Sequence, residues 1–135
     1  MENAGGIDFD SKVLRRLVDI ARALRDKPTS SFLHFSFLLD KSKILSCGWN
    51  NVTCSGVRIN KRYYYYPLGG EHSEASALKK YRGDYGGVKM VNIRLNNQGE
   101  LRYSRPCNLC YTILKNCGIR RLYYSTNTHF EFERL

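Results

Sequence analysis

At 135 residues the chain is long enough for one domain with one core and too short for two, so it reads as a single domain over residues 1–135. Its 42% hydrophobic and 25% charged residues fit a globule and exclude a disordered chain, and no apolar run approaches the ~20 residues of a membrane helix. The 22 Lys+Arg against 12 Asp+Glu, a formal +10, suit a phosphate-bearing partner, although solvated surface charge alone gives the same count.

Met1 to Asp10 is acidic and glycine-bearing, unlike a signal peptide. An intracellular protein, cytoplasmic or nuclear, is therefore expected. In such a reducing compartment five cysteines speak for metal or thiol chemistry over disulfides. Val13, Leu14, Leu17, Ala21 and Leu24 recur at helical spacing, with Asp10 or Ser11 as N-cap and Pro28 closing the segment. Ser31 to Leu39 reads as a strand with Leu33, Phe35, Phe37 and Leu39 on one face. Asp40-Lys41-Ser42 is a turn into a second strand, Ile44 to Asn50, which forms a hairpin with the first.

A loop from Asn51 to about Gly70 leads to a helix over Glu71 to Tyr81, stopped by Gly83. Val88 to Leu95 is a third strand, and Leu101 to Ser104 returns briefly toward the sheet. Pro106 opens a helix ending at Gly118, and Leu122 to Ser125 and Phe130 to Glu133 are the fourth and fifth strands. This order of elements predicts an α/β fold, a three-layer α/β/α sandwich around one mixed five-stranded sheet. Only Thr126 to Thr128 separate strands four and five, so those two must pair antiparallel.

Two motifs carry chemistry: His72-Ser73-Glu74 at one helix start and Pro106-Cys107-Asn108-Leu109-Cys110 at another. A Cys-x-x-Cys in a first helical turn places both sulfurs on one side, where the helix dipole favours thiolates. With His72 as third ligand, zinc would keep a fourth position for water, the arrangement of a catalytic site. Glu74, two residues on, is placed to move protons without itself ligating. His-x-Glu with Pro-Cys-x-x-Cys is the signature of zinc nucleobase deaminases. The competing account is a closed structural site with a fourth ligand from Cys47, Cys54 or Cys117.

These motifs, with Gly48-Trp49-Asn50, Arg105 and the run Gly118-Ile119-Arg120-Arg121-Leu122-Tyr123-Tyr124-Ser125, resemble the cytidine deaminase superfamily across nearly the whole chain. The run from Val91 to Leu135 resembles small deaminase-like proteins of large DNA viruses. The resemblance implies Zn2+ on His72, Cys107 and Cys110, with Glu74 as the catalytic proton carrier. It further implies that Asn50 touches the substrate sugar, that the backbone of Ser73 meets the base, and that Tyr123 packs on the base. Ser73 departs from the usual Ala or Val. The short ending resembles the free-nucleoside deaminases and several toxin-type enzymes.

Arg58, Lys61, Arg62 and Tyr64 lie in an acid-free stretch that includes four consecutive tyrosines, a composition suited to tracking a nucleic-acid backbone while bases stack. The tyrosines equally suit a homo-oligomer interface. His34, mid-strand and opposite Phe35 and Phe37, is given no role. The expected activity is hydrolytic deamination of cytosine to uracil in a nucleotide or single-stranded nucleic acid. The alternatives are a catalytically idle nucleic-acid-binding module on the same fold, or an adenine deaminase.

Overall fold

The computed structural model describes residues 11–28, 33–51 and 71–135, and the backbone of 57–58 and 64–65. Among these residues no helix is long and apolar enough to cross a membrane. Helix α1 is Ser11–Ala23, and strands β1 (Leu33–Asp40) and β2 (Lys43–Trp49) form the expected antiparallel hairpin. Two short strands, β3 (Val57–Arg58) and β4 (Tyr64–Tyr65), pair with each other within the segment read from sequence as loop. Helix α2 is Ser73–Lys80, β5 is Lys89–Leu95, β6 is Leu101–Arg102 and α3 is Asn108–Cys117. Strands β7 (Arg121–Ser125) and β8 (Phe130–Arg134) complete the sheet.

The sheet runs β2-β1-β5-β7-β8, and its mixed character comes from the parallel β5–β7 pair. Strands β7 and β8 pair antiparallel, as their short four-residue connection requires. The count is corrected from five strands to six. β7 pairs with β5 over Lys89–Asn92, and β6 takes Arg94 and Leu95. Two residues of ladder are too few to carry a hydrophobic alternation that a sequence pattern could register.

Alternation along the strands splits the core into two layers. On one face α1 packs Leu17, Val18 and Ala21 against Leu33, Phe35, Phe37, Leu39, Val91 and Ile93. On the other, α2 and α3 cover Leu38, Met90, Leu122 and Tyr124 with Ala77, Leu78, Ile113 and Leu114. Every residue of α2 from Ser73 to Leu78 is buried, so this helix is wedged between sheet and α3 and exposes no broad polar face. Ends are tied as composition leads one to expect: Gly118 closes α3 in the left-handed region at φ 99°.

One glycine sets the depth of α2. A Cβ at Gly48 on β2 would lie 2.2 Å from the Ala77 nitrogen and 2.5 Å from the Ser73 carbonyl oxygen, both backbone atoms that cannot swing aside. The helix therefore rests directly on strand backbone. Gly48→Ala is expected to push α2 outward and cost ~1–3 kcal/mol or more of stability, the scale of overpacking in a tight core. Chemical denaturation measures this, and a variant as stable as the parent contradicts it.

Candidate metal and proton-transfer site

The N-termini of α2 and α3 meet, with His72 of one beside Cys107 and Cys110 of the other. His72 is the N-cap of α2 and Cys107 the N-cap of α3, both in extended backbone geometry, and neither side chain is spent on capping. Their carbonyls begin the helices, accepting from the Ser76 N–H at 3.1 Å and the Tyr111 N–H at 2.8 Å. The segment before α2 is pinned by reciprocal backbone hydrogen bonds between Asn51 and Glu71 and by an ion pair from Lys79 to buried Glu71.

His72 Nδ1 lies 3.1 Å from Cys110 Sγ and 3.6 Å from Cys107 Sγ, and the three ligand atoms fall within 4.8 Å of one another. Ligands ~2.0–2.3 Å from a tetrahedral zinc stand about 3.5 Å apart, so the set fits that ion with little movement. The donor chemistry fits too. Hydrogen bonding from Cys110, foremost from its side chain, holds the Cys107 thiol down to about 5, aided by nearby His72 and opposed by burial and Glu74. Cys107 is a thiolate near neutral pH, the form that binds metal.

The remaining cysteines stand elsewhere. Cys47 packs toward the α1-side core and Cys117 toward the opposite one, and burial raises both thiols to about 11. Among the described residues the metal-capable cluster consists of His72, Cys107 and Cys110, leaving neither of these two as a fourth ligand. Cys54 lies outside the described residues.

Glu74 is 5% exposed, behind His72 in the first turn of α2. Its Oε2 accepts from Asn92 Nδ2 at 2.7 Å, and its Oε1 is 3.3 Å from Ser73 Oγ. Asn50, just past β2, accepts from the His34 N–H at 3.1 Å through Oδ1. Ser73 turns its hydroxyl inward to Ser36, 2.8 Å away.

Tyr123 is not brought to the site. It is fully buried in the α1-side core, its ring 4.9 Å from Phe132, and the sequence-based expectation that it packs on a base is corrected accordingly. Alternation along β7 sends Tyr124, not Tyr123, to the face that carries α3. Arg58 and Tyr64 fall on β3 and β4, whose side chains are not described, and Lys61 and Arg62 lie outside the described residues.

Several site residues carried no sequence signal. His34 is half-buried on the site face of β1, opposite Arg94 in the register. Burial is the main cause holding its imidazole below the usual value; Glu74 pulls it upward, while Arg94 and His72 push it down. Glu133, on the last strand, gathers the cysteine loop. Arg105 donates to it twice, at 2.7 and 3.1 Å, and the hydroxyls of Tyr124 and Tyr111 donate at 2.7 and 3.2 Å. Only the tertiary fold joins residues 28 positions apart.

No protein-family model and no curated protein matches the sequence. Among solved structures the chain is similar to the dCMP deaminase of cyanophage S-TIM5 in apo form, with 16% identity, a TM-score of 0.60, and 89% of this chain and 87% of that one covered. The same enzyme in complex with dCMP and dUMP matches at 15% identity and a TM-score of 0.58, covering 86% and 82%. The cytidine deaminase of Burkholderia pseudomallei matches at 19% identity and a TM-score of 0.57, covering 89% and 91%. The chain has the fold of the cytidine deaminases.

The Glu133 cluster carries a pH signature. Hydrogen bonds from Arg105, foremost, and from the two tyrosines hold the Glu133 carboxyl below its ordinary value against partial burial. Such a group contributes stability above the ordinary carboxylate range and loses it as pH falls through its depressed folded value. Glu133→Gln is therefore expected to lower the melting temperature at about pH 7, with the gap to the parent narrowing as pH is lowered through and below the ordinary carboxylate range. A gap of constant size across that range contradicts the charge-based account.

Proposed function

We propose that the protein is a zinc-dependent hydrolytic deaminase acting on the cytosine of a nucleotide, built as one domain. One observation carries the reading: a histidine and two cysteines converge within 4.8 Å, beside a buried non-ligating glutamate. That donor set suits a catalytic zinc with an open position. When bound, zinc supplies Lewis acidity that makes hydroxide available near neutral pH.

The residues of the chain do the rest. His72, Cys107 and Cys110 hold the ion at the mouth of two helices. Glu74 takes a proton from the water as its oxygen bonds to C4 of the ring, and delivers that proton to N3. It then passes the second water proton to the exocyclic amine, the C4–N bond breaks, and ammonia leaves a C4 carbonyl behind. Asn50, its Oδ1 engaged by the His34 N–H, presents its Nδ2 group to a sugar hydroxyl. The backbone N–H of Ser73 meets the base.

A phosphate on the substrate is supported by the net charge of +10. It is also supported by the cyanophage dCMP deaminase of the same fold, solved in complex with dCMP and dUMP. A single-stranded polynucleotide extends the same reading, with Arg58, Lys61, Arg62 and Tyr64 along the strand. Such binding would weaken steeply with salt, in proportion to the phosphates contacted.

Purified protein is expected to carry about one zinc per chain, and Cys110→Ser to lose it, as elemental analysis reports. Incubation with cytidine, CMP, dCMP, single-stranded DNA and RNA, and adenosine, scored for the deaminated base, is expected to give uracil from a phosphate-bearing cytosine substrate. Glu74→Gln should keep zinc and fold while turnover falls ~10²–10⁴-fold, the usual worth of a general acid–base. A metal-free parent that turns over, or a Glu74→Gln variant at parental rate, sinks the reading.

A further inference from the structure

Beneath Glu74 lies a run of polar groups in the middle of an otherwise apolar sheet. Asn92 is 2% exposed at the centre of β5, and Ser36, on the neighbouring strand β1, is fully buried. The two are register partners. We propose that Asn92, supported by Ser36 and Ser73, is the residue that positions the Glu74 carboxylate for proton transfer. This rests on the deaminase reading above and adds to it a group that touches neither metal nor substrate.

The hydrogen-bond directions follow from what each atom can do. Asn92 faces the Ser104 carbonyl oxygen at 3.3 Å and Glu74 Oε2 at 2.7 Å on one side of its amide. The Ser104 carbonyl can only accept, so that side must be the NH2 group. The other side, Oδ1, then accepts from Ser36 Oγ at 2.6 Å. Ser36 has one hydroxyl proton and it is committed there, so at 2.8 Å Ser36 accepts from Ser73 Oγ. With its proton so placed, Ser73 makes only a loose 3.3 Å contact to Glu74 Oε1.

The two carboxylate oxygens therefore become unequal. Oε2 is fastened to the sheet through a short bond to a neutral donor, and Oε1 is left as the oxygen that gains and releases protons. A carboxylate that shuttles protons between water, N3 and the amine must keep one oxygen in line with all three. Pinning the other oxygen removes rotation about the terminal torsion before substrate arrives. The serine at position 73 also gains a reason. Its side chain completes the support by giving Ser36 a donor, which a methyl or isopropyl group could not do.

The test is a double-mutant cycle on the zinc-loaded protein, pairing Asn92→Ala with Glu74→Ala, with Ser36→Ala as a milder third variant. Turnover, KM, zinc content and melting temperature are read on each. Asn92→Ala is expected to cut kcat about 10²-fold, the scale of a small misplacement of a reacting group, with KM and zinc content unchanged. Ser36→Ala should give a smaller fall of the same kind, and it keeps the proposal testable should Asn92→Ala fail to fold. In the Glu74→Ala background neither change should reduce residual turnover further. The melting temperature should respond likewise: Asn92→Ala costs more with Glu74 present, because it strands a buried carboxylate without its donor.

An unchanged kcat overturns the proposal. So does a loss of kcat that comes with loss of zinc, or melting shifts that simply add. Should the parent turn over none of the nucleotides tried, the deaminase reading falls by itself. The melting cycle then decides the Asn92–Glu74 tie alone: coupling supports it and additivity overturns it.

Discussion

The close approach of α2 to the backbone of β2 at Gly48 is the constraint from which the site follows. The Ser73 carbonyl, in the first turn of α2, stands 2.5 Å from where a Gly48 Cβ would be. The first turn of that helix, with His72 just ahead of it and Glu74 within it, therefore sits as deep as a helix can. Depth brings Glu74 down to Asn92 on the sheet and His72 across to Cys110 at 3.1 Å. A side chain at position 48 would lift the histidine away from the cysteines and the carboxylate away from its donor together. The metal-capable cluster and the buried carboxylate thus share one clearance.

Burying so many polar groups at that depth is tolerable because they satisfy one another. Ser36, Ser73, Glu74 and Asn92 form one connected set. Through Ser104 Oγ, which donates to the Asn92 carbonyl at 3.0 Å, it continues to Ser125 on β7. The chain of bonds thus crosses β1, β5 and β7 beneath the two helix starts. An apolar replacement anywhere along it would leave a neighbour unpaired, which is costlier than the bond itself is worth. The polar seam lies on the face that carries α2 and α3, with Leu38 and Met90 two residues along the same strands, and alternation sets it apart from the α1-side layer.

Much of the site was legible in the sequence because its chemistry is local. His72, Glu74, Cys107 and Cys110 sit in two short motifs, and spacing within a helical turn places each pair. The α1 face was readable from Leu33, Phe35, Phe37 and Leu39 for the same reason, since period-two alternation survives over eight residues. What failed was non-local. Tyr123 went to the wrong face because a one-residue offset along a strand inverts every side chain, and a motif resemblance does not fix that parity. Asn92 lies in Met-Val-Asn-Ile-Arg and reads as a blemish in a strand, its partner 18 positions away in sequence. Glu133 shows no pattern until Arg105, Tyr111 and Tyr124 are folded around it.

The electrostatics of the pocket follow from the same placement. His34 has Glu74, His72 and Arg94 around it, and burial, opposed by Glu74, holds its imidazole below the ordinary value. Arg105, one residue before Pro106, would be a positive charge beside the cysteines. Glu133 neutralises it through two hydrogen bonds and turns it outward from the metal cluster toward β8.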